Sequence, residues 1–234
     1  MKKSIFAAGI ALATMIGASA NAATIKMSTF SMDAFNTATA GGTIENFEGY
    51  AGSWDPNTVT NVGTFSSYDA STGSGSVCNA QSGGNCQSLY VNDTVLSGQG
   101  NLVPLDGTKA LSSNDTNGIF WDVFNNGGST FDKVVFAVRD AADINGTIFT
   151  IKTNDGTSVE LTGRANNNQQ LVVIDLGGSF TDATVSMFNN QVNDGFTIDG
   201  ASTVSTVPVP AAGLLFISGL GMLGALRKRK QKTA

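Results

Sequence analysis

The chain has 234 residues, 18 acidic and 13 basic side chains, two cysteines and no histidine. Without histidine there is no Ser-His-Asp or Cys-His triad and no His-ligated zinc or haem. All the acidic residues but only six basic ones (Lys26, Lys109, Lys133, Arg139, Lys152 and Arg164) lie between Ala23 and Val207, a net charge of −12 that argues against nucleic-acid binding.

Met1-Lys2-Lys3, an apolar segment from Ile5 to Ile16, and small residues at Ala18, Ala20 and Ala22 have the layout of a secretory signal peptide. Cleavage is expected after Ala20 or Ala22, with Ala22 favoured, so residues 1–22 are a signal peptide and the rest of the chain is exported. Beyond Ala22 the chain is rich in Gly, Ser, Thr, Asn and Asp and poor in Lys and Glu, a composition of short strands joined by tight turns.

Alternating apolar and polar residues predict strands at 24–30, 43–47, 59–68, 88–95, 108–113, 118–124, 133–139, 147–153, 158–161, 170–175, 184–188 and 195–199. This is the pattern of an all-β sandwich over residues 23–200. Asn154-Asp155-Gly156 sits between two alternating runs and predicts a hairpin. Val134 to Val138 and Leu171 to Ile174 are continuously apolar, as expected of central strands buried on both faces. Residues 69–100 are expected to form long loops at one end. They hold Cys78 and Cys86, whose seven-residue spacer gives enough slack for a disulfide in an oxidising compartment.

Turns such as Asn114-Asp115-Thr116-Asn117-Gly118 and Asn193-Asp194-Gly195 offer oxygen ligands to Ca²⁺, but turn chemistry alone explains them. Tyr50, Trp54, Tyr68, Tyr90 and Trp121 are the aromatics able to stack on a sugar ring. In the strand at 118–124, Trp121 faces away from Phe120 and Asp122 and fits a core. Trp54 reads as a loop residue and is the expected ligand contact. With only three Glu and no pair singled out by spacing, catalysis has no identifiable acid and base.

After a linker at 201–206 the chain ends in three parts. Val207, Pro208, Val209 and Pro210 form a small-residue proline motif. Next is an apolar run from Ala211 to Leu226, and then a basic cluster, Arg227, Lys228, Arg229 and Lys230. A helix starting at Pro210 would span roughly 24 Å, short of a ~30 Å hydrocarbon core, with the basic end cytoplasmic. In order and spacing this tail resembles the PEP-CTERM sorting signal, in its Val-Pro-x-Pro-Ala-Ala form. Val209 stands where the commonest pattern has Glu. The resemblance implies that residues 207–234 are a transmembrane sorting helix, read by an exosortase-type transpeptidase that cuts near the motif after the export machinery has acted.

Ile44-Glu45-Asn46-Phe47-Glu48 and Asp194-Gly195-Phe196-Thr197-Ile198-Asp199 resemble the first and last strands of the jelly-roll domains found in carbohydrate-binding modules and PEP-CTERM ectodomains. That likeness implies a jelly-roll-like sandwich in which Glu48 and Asp199 hold a structural Ca²⁺. The expected protein is a non-enzymatic one, anchored transiently in the inner membrane and then placed at the cell surface or in extracellular polysaccharide or biofilm matrix. Two alternatives stand beside it, a carbohydrate-binding module using its end loops and a carboxylate-based hydrolase.

Overall fold

The computed structural model describes residues 21–77, 88–92, 107–114, 116–191 and 194–206. The expected signal peptide up to residue 20, Cys78 and Cys86, and the whole sorting segment at 207–234 lie outside them. Among the described residues no helix is long and apolar enough to cross a membrane.

The chain opens with β1 (Thr24–Thr29), α1 (Met32–Ala38), β2 (Thr43–Glu45), β3 (Gly52–Ser53), β4 (Val59–Thr60) and β5 (Gly63–Asp69). Next come β6 (Ser74–Ser76), β7 (Tyr90–Asn92), β8 (Ala110–Ser112), β9 (Gly118–Phe124) and β10 (Phe131–Arg139). It closes with β11 (Ile148–Thr153), β12 (Ser158–Thr162), β13 (Gln169–Phe180), β14 (Asp182–Asn189) and β15 (Thr197–Val204). These strands form two antiparallel sheets. The first runs β1-β13-β10-β15-β8-β7-β3, with β2 also on β15; the second runs β12-β11-β14-β9-β5-β4, with β6 also on β5.

The all-β expectation holds, and the period-two pattern explains how the sheets face each other. Val134, Phe136 and Val138 of β10 enter the core with Trp121, Phe65, Phe149, Val185 and Met187 of the opposite sheet. Val135 and Ala137 point the other way, where Phe35 of α1 covers them together with Leu171 and Val204. The uninterrupted apolar run of β10 therefore has two coverings, a sheet on one side and a helix on the other. The Asn154-Asp155-Gly156 hairpin also forms, joining β11 to β12 with Gly156 at φ 88°.

The strand pattern did not foresee α1. Its start is nevertheless written locally, because the Ser31 side chain accepts from the Ala34 amide at 3.2 Å and Asp33 lies in the first turn. Residues 59–68, expected as one strand, divide into β4 and β5 around Asn61-Val62.

The expected linker at 201–206 is also corrected. Residues 201–204 continue β15, a strand buried along its whole length between β10 and its partners β2 and β8. A register shift opposite Phe136, with Gly200 at φ 60°, carries the strand through a bulge. Only Ser205 and Thr206 remain exposed. They too are tied down, Ser205 Oγ donating to the Thr130 carbonyl and Thr206 N donating to Asp132 Oδ2 at 2.9 Å.

Candidate functional site

Trp54 is not the open loop residue its neighbours suggested. It is 5% exposed, its backbone amide donates to the Leu89 carbonyl at 2.8 Å, and its indole N–H donates to the Phe65 carbonyl at 2.8 Å. The ring meets Phe47, Tyr50 and Phe65 edge-on. A ring satisfied on every side has no face left for a sugar, so Trp54 is a core residue. Trp121 is one as well, its indole N–H donating to the Val62 carbonyl at 2.9 Å. The two indoles together bind the hairpin of β4 and β5 onto the core.

The segment at 44–48 is not the first strand, since β1 and α1 precede it, but β2 within it does run antiparallel to the last strand, β15, through Ala201, Ser202 and Thr203. Each carboxylate has hydrogen-bond partners within the chain. Glu48 Oε1 accepts from the Lys109 amide at 2.8 Å. The Lys109 ammonium donates to the carbonyls of Glu48, at 3.1 Å, and of Tyr50, at 2.8 Å. A positive charge from the chain itself thus gathers these oxygens. Asp199 is 1% exposed and accepts from the Gly200 amide at 2.7 Å, bracing the bulge. Among the described residues no group of three acidic or cysteine side chains is arranged to hold a metal.

One surface does gather aromatic and polar groups. In β9, Ile119, Trp121 and Val123 face the core, so Phe120 and Asp122 face outward, as the alternation in the sequence indicated. The register sets Asp122 beside Thr64 and Thr184, and Ser186 beside Phe120 and Lys152. At the next level Gly118 has no side chain, and across it the rings of Tyr68 and Phe188 stack with centroids 4.4 Å apart and planes 9° from parallel. A Cβ on Gly118 would lie 2.1 Å from the Met187 carbonyl oxygen, so this close approach requires glycine.

Tyr68 is buried under its partner and Phe188 half-buried, while Asp122 and Lys152 are exposed. Partial burial holds the Asp122 carboxyl above its ordinary value. Burial, and then the nearby Asp69 charge, raises the Tyr68 hydroxyl. Strung along this face are an aromatic ring, hydroxyls, a carboxyl and an ammonium, the kinds of group that stack on a pyranose face and bond its hydroxyls. This group was missed because its members come from four strands, although the Gly118 to Phe124 alternation assigns Phe120 and Asp122 their face.

At one end of the sandwich Asp140, Asp143 and Asp194 come together. Burial first, and then hydrogen bonding to Asp143, pushes the Asp194 carboxyl up to about 7. Asp140 is raised too, mainly by burial, although its carboxylate accepts from the Asn167 amide at 2.8 Å. Burial and a neighbouring like charge both favour the protonated form of a carboxyl.

No protein-family model matches the chain, and no curated protein sequence does. Three solved structures from Clostridium thermocellum resemble it in backbone trace. The CBM22-1–GH10 modules of xylanase 10B, complexed with xylohexaose, are 12% identical at TM-score 0.34, over 70% of this chain and 28% of that one. The C-terminal family 22 carbohydrate-binding module of the same enzyme is 15% identical at TM-score 0.30, over 70% and 98%. The family 11 module of Lic26A-Cel5E is 11% identical at TM-score 0.29, over 73% and 98%. Overlaps of this extent leave the chemistry of the site to its own residues.

Proposed function

We propose that this is an exported, non-enzymatic β-sandwich protein, sorted through its C-terminal segment by an exosortase-type transpeptidase and retained in or near extracellular polysaccharide. The observation that carries this reading is where the two ends of the sandwich emerge. Asn21 and Thr206 line one shallow pocket with Asp132, Asp175 and Gly177, at the edge where β1 meets β13. A precursor held in a membrane by both of its apolar segments would therefore be held from a single end, leaving the rest of the sandwich facing outward.

The proline motif begins at the residue after Thr206, whose amide is held by Asp132. An enzyme reading Val207 to Pro210 works within a few residues of a folded body. Its hold should depend on the two prolines, because proline fixes its own φ and biases the residue before it away from the helical region. Replacing Pro208 and Pro210 together by Ala is expected to leave an uncleaved, membrane-bound precursor, seen by fractionation and immunoblotting in the native host. Normal release of the double variant would reject recognition through the prolines.

The outer face around Phe188 supports a second reading, a sugar-binding module. On a polysaccharide panel, Phe188→Ala and Asp122→Asn should each weaken retention by about tenfold, equivalent to ~1.4 kcal/mol. Lys109→Ala, next to Glu48 and away from this face, should leave it unchanged. Absence of retention by the unaltered protein on every polysaccharide tested would rule out this second reading.

A further inference from the structure

The backbone amide of Ala23 donates to Asp155 Oδ2 at 2.8 Å, joining residues 132 positions apart. Ala23 leads into β1 at the edge of the first sheet, and Asp155 lies in the β11–β12 turn at the edge of the second. The contact is thus a tie between the two sheets. It also lies at a boundary in exposure, since Asn21 and Ala22 are open to solvent and Ala23 is 6% exposed.

Asp155 is held for this task. Its Oδ1 accepts from the Thr153 hydroxyl at 2.6 Å and from the Thr157 amide at 2.9 Å, while Oδ2 accepts from the Thr157 hydroxyl at 3.1 Å as well as from Ala23. The Thr153 hydroxyl first, then the Ala23 and Thr157 amides, bring this carboxyl down to about 2, so it is ionised at any neutral pH. Asn21, Ala22 and Ala23 line the pocket that Asp155 shares with Leu176, Phe180 and Ala183.

We infer that Asp155 is the receptor for the protein's own new N-terminus: hydrolysis of the Ala22–Ala23 bond converts the Ala23 amide into an ammonium that pairs with the Asp155 carboxylate and clasps β1 to the opposite sheet. In that step a signal peptidase breaks the C–N bond with one water. The water oxygen stays on the Ala22 carboxyl, and the nitrogen, protonated at neutral pH, gains a positive charge 2.8 Å from the carboxylate. A hydrogen bond whose acceptor alone is charged becomes an ion pair.

This inference rests on the export reading, and the test separates the two. The full chain is exported in a bacterial host, and its N-terminus is sequenced. A start at Ala23 is expected. A start at Asn21 keeps export and overturns the clasp, and a chain retaining Met1 overturns both. The purified protein is then acetylated selectively at its α-amine near pH 6.5, alongside the Asp155→Asn variant. Acetylation should lower Tm by about 1–4 °C in the unaltered protein and by less than ~1 °C in the variant. If acetylation has no effect, or an equal effect in both proteins, the ammonium does not act through Asp155. The modified unaltered protein supplies the first comparison even if the variant folds poorly.

Discussion

Asp194 shows how one buried carboxyl sets a pH dependence. Its folded-state value of about 7 lies above the ordinary 3.8, so the folded chain keeps a proton that the unfolded chain has lost. Stability from this group is full below about pH 4 and falls as pH rises toward 7. Asp194→Asn keeps the shape and removes the ionisation. The variant should flatten the decline of the urea midpoint between pH 4 and 7 and be more stable at pH 8, by on the order of 1 kcal/mol. An unchanged slope would mean that Asp194 does not hold the proton. None of this was legible locally, because Asn193-Asp194-Gly195 reads as a turn and only the fold brings Asp143 to it. Trp54 makes the same point in reverse. Its polar neighbours read as a loop, while the partners that bury it, Phe47, Phe65 and Leu89, belong to other segments.

At the scale of elements the sequence was most legible where alternation was long. β9 and the hairpin of β11 and β12 form where their patterns stand, and the apolar runs of β10 and β13 are central strands of the first sheet. It was least legible where a polar segment is buried by pairing. Ala201 to Val204 reads as a Ser- and Thr-containing linker, yet Ser202 and Thr203 are 0% and 2% exposed because β10 and β2 take up their backbone groups. Ser31 caps α1, but a seven-residue helix leaves little periodicity to read. Gly118 is the clearest place to test an element. In Gly118→Ala the new Cβ would meet the Met187 carbonyl oxygen at 2.1 Å and the Phe188 Cα at 2.7 Å, both backbone atoms of the neighbouring strand. Forcing β9 and β14 apart should cost about 1–3 kcal/mol in chemical denaturation. A neutral outcome would show that the two strands can separate freely at this level.

For the whole molecule, the arrangement is an acidic sandwich with both ends at one edge and an aromatic and polar face on the second sheet. If the protein is sorted as proposed, the apolar segments beyond those ends are temporary. Intact mass of the extracellular form from the native host puts this to the most direct test. The expected species is a chain that lacks Met1 to Ala22 and the residues after about Pro210. A mature protein found in the membrane and still carrying Leu214 to Lys230 would contradict it and leave a permanent anchor in place of a sorting signal.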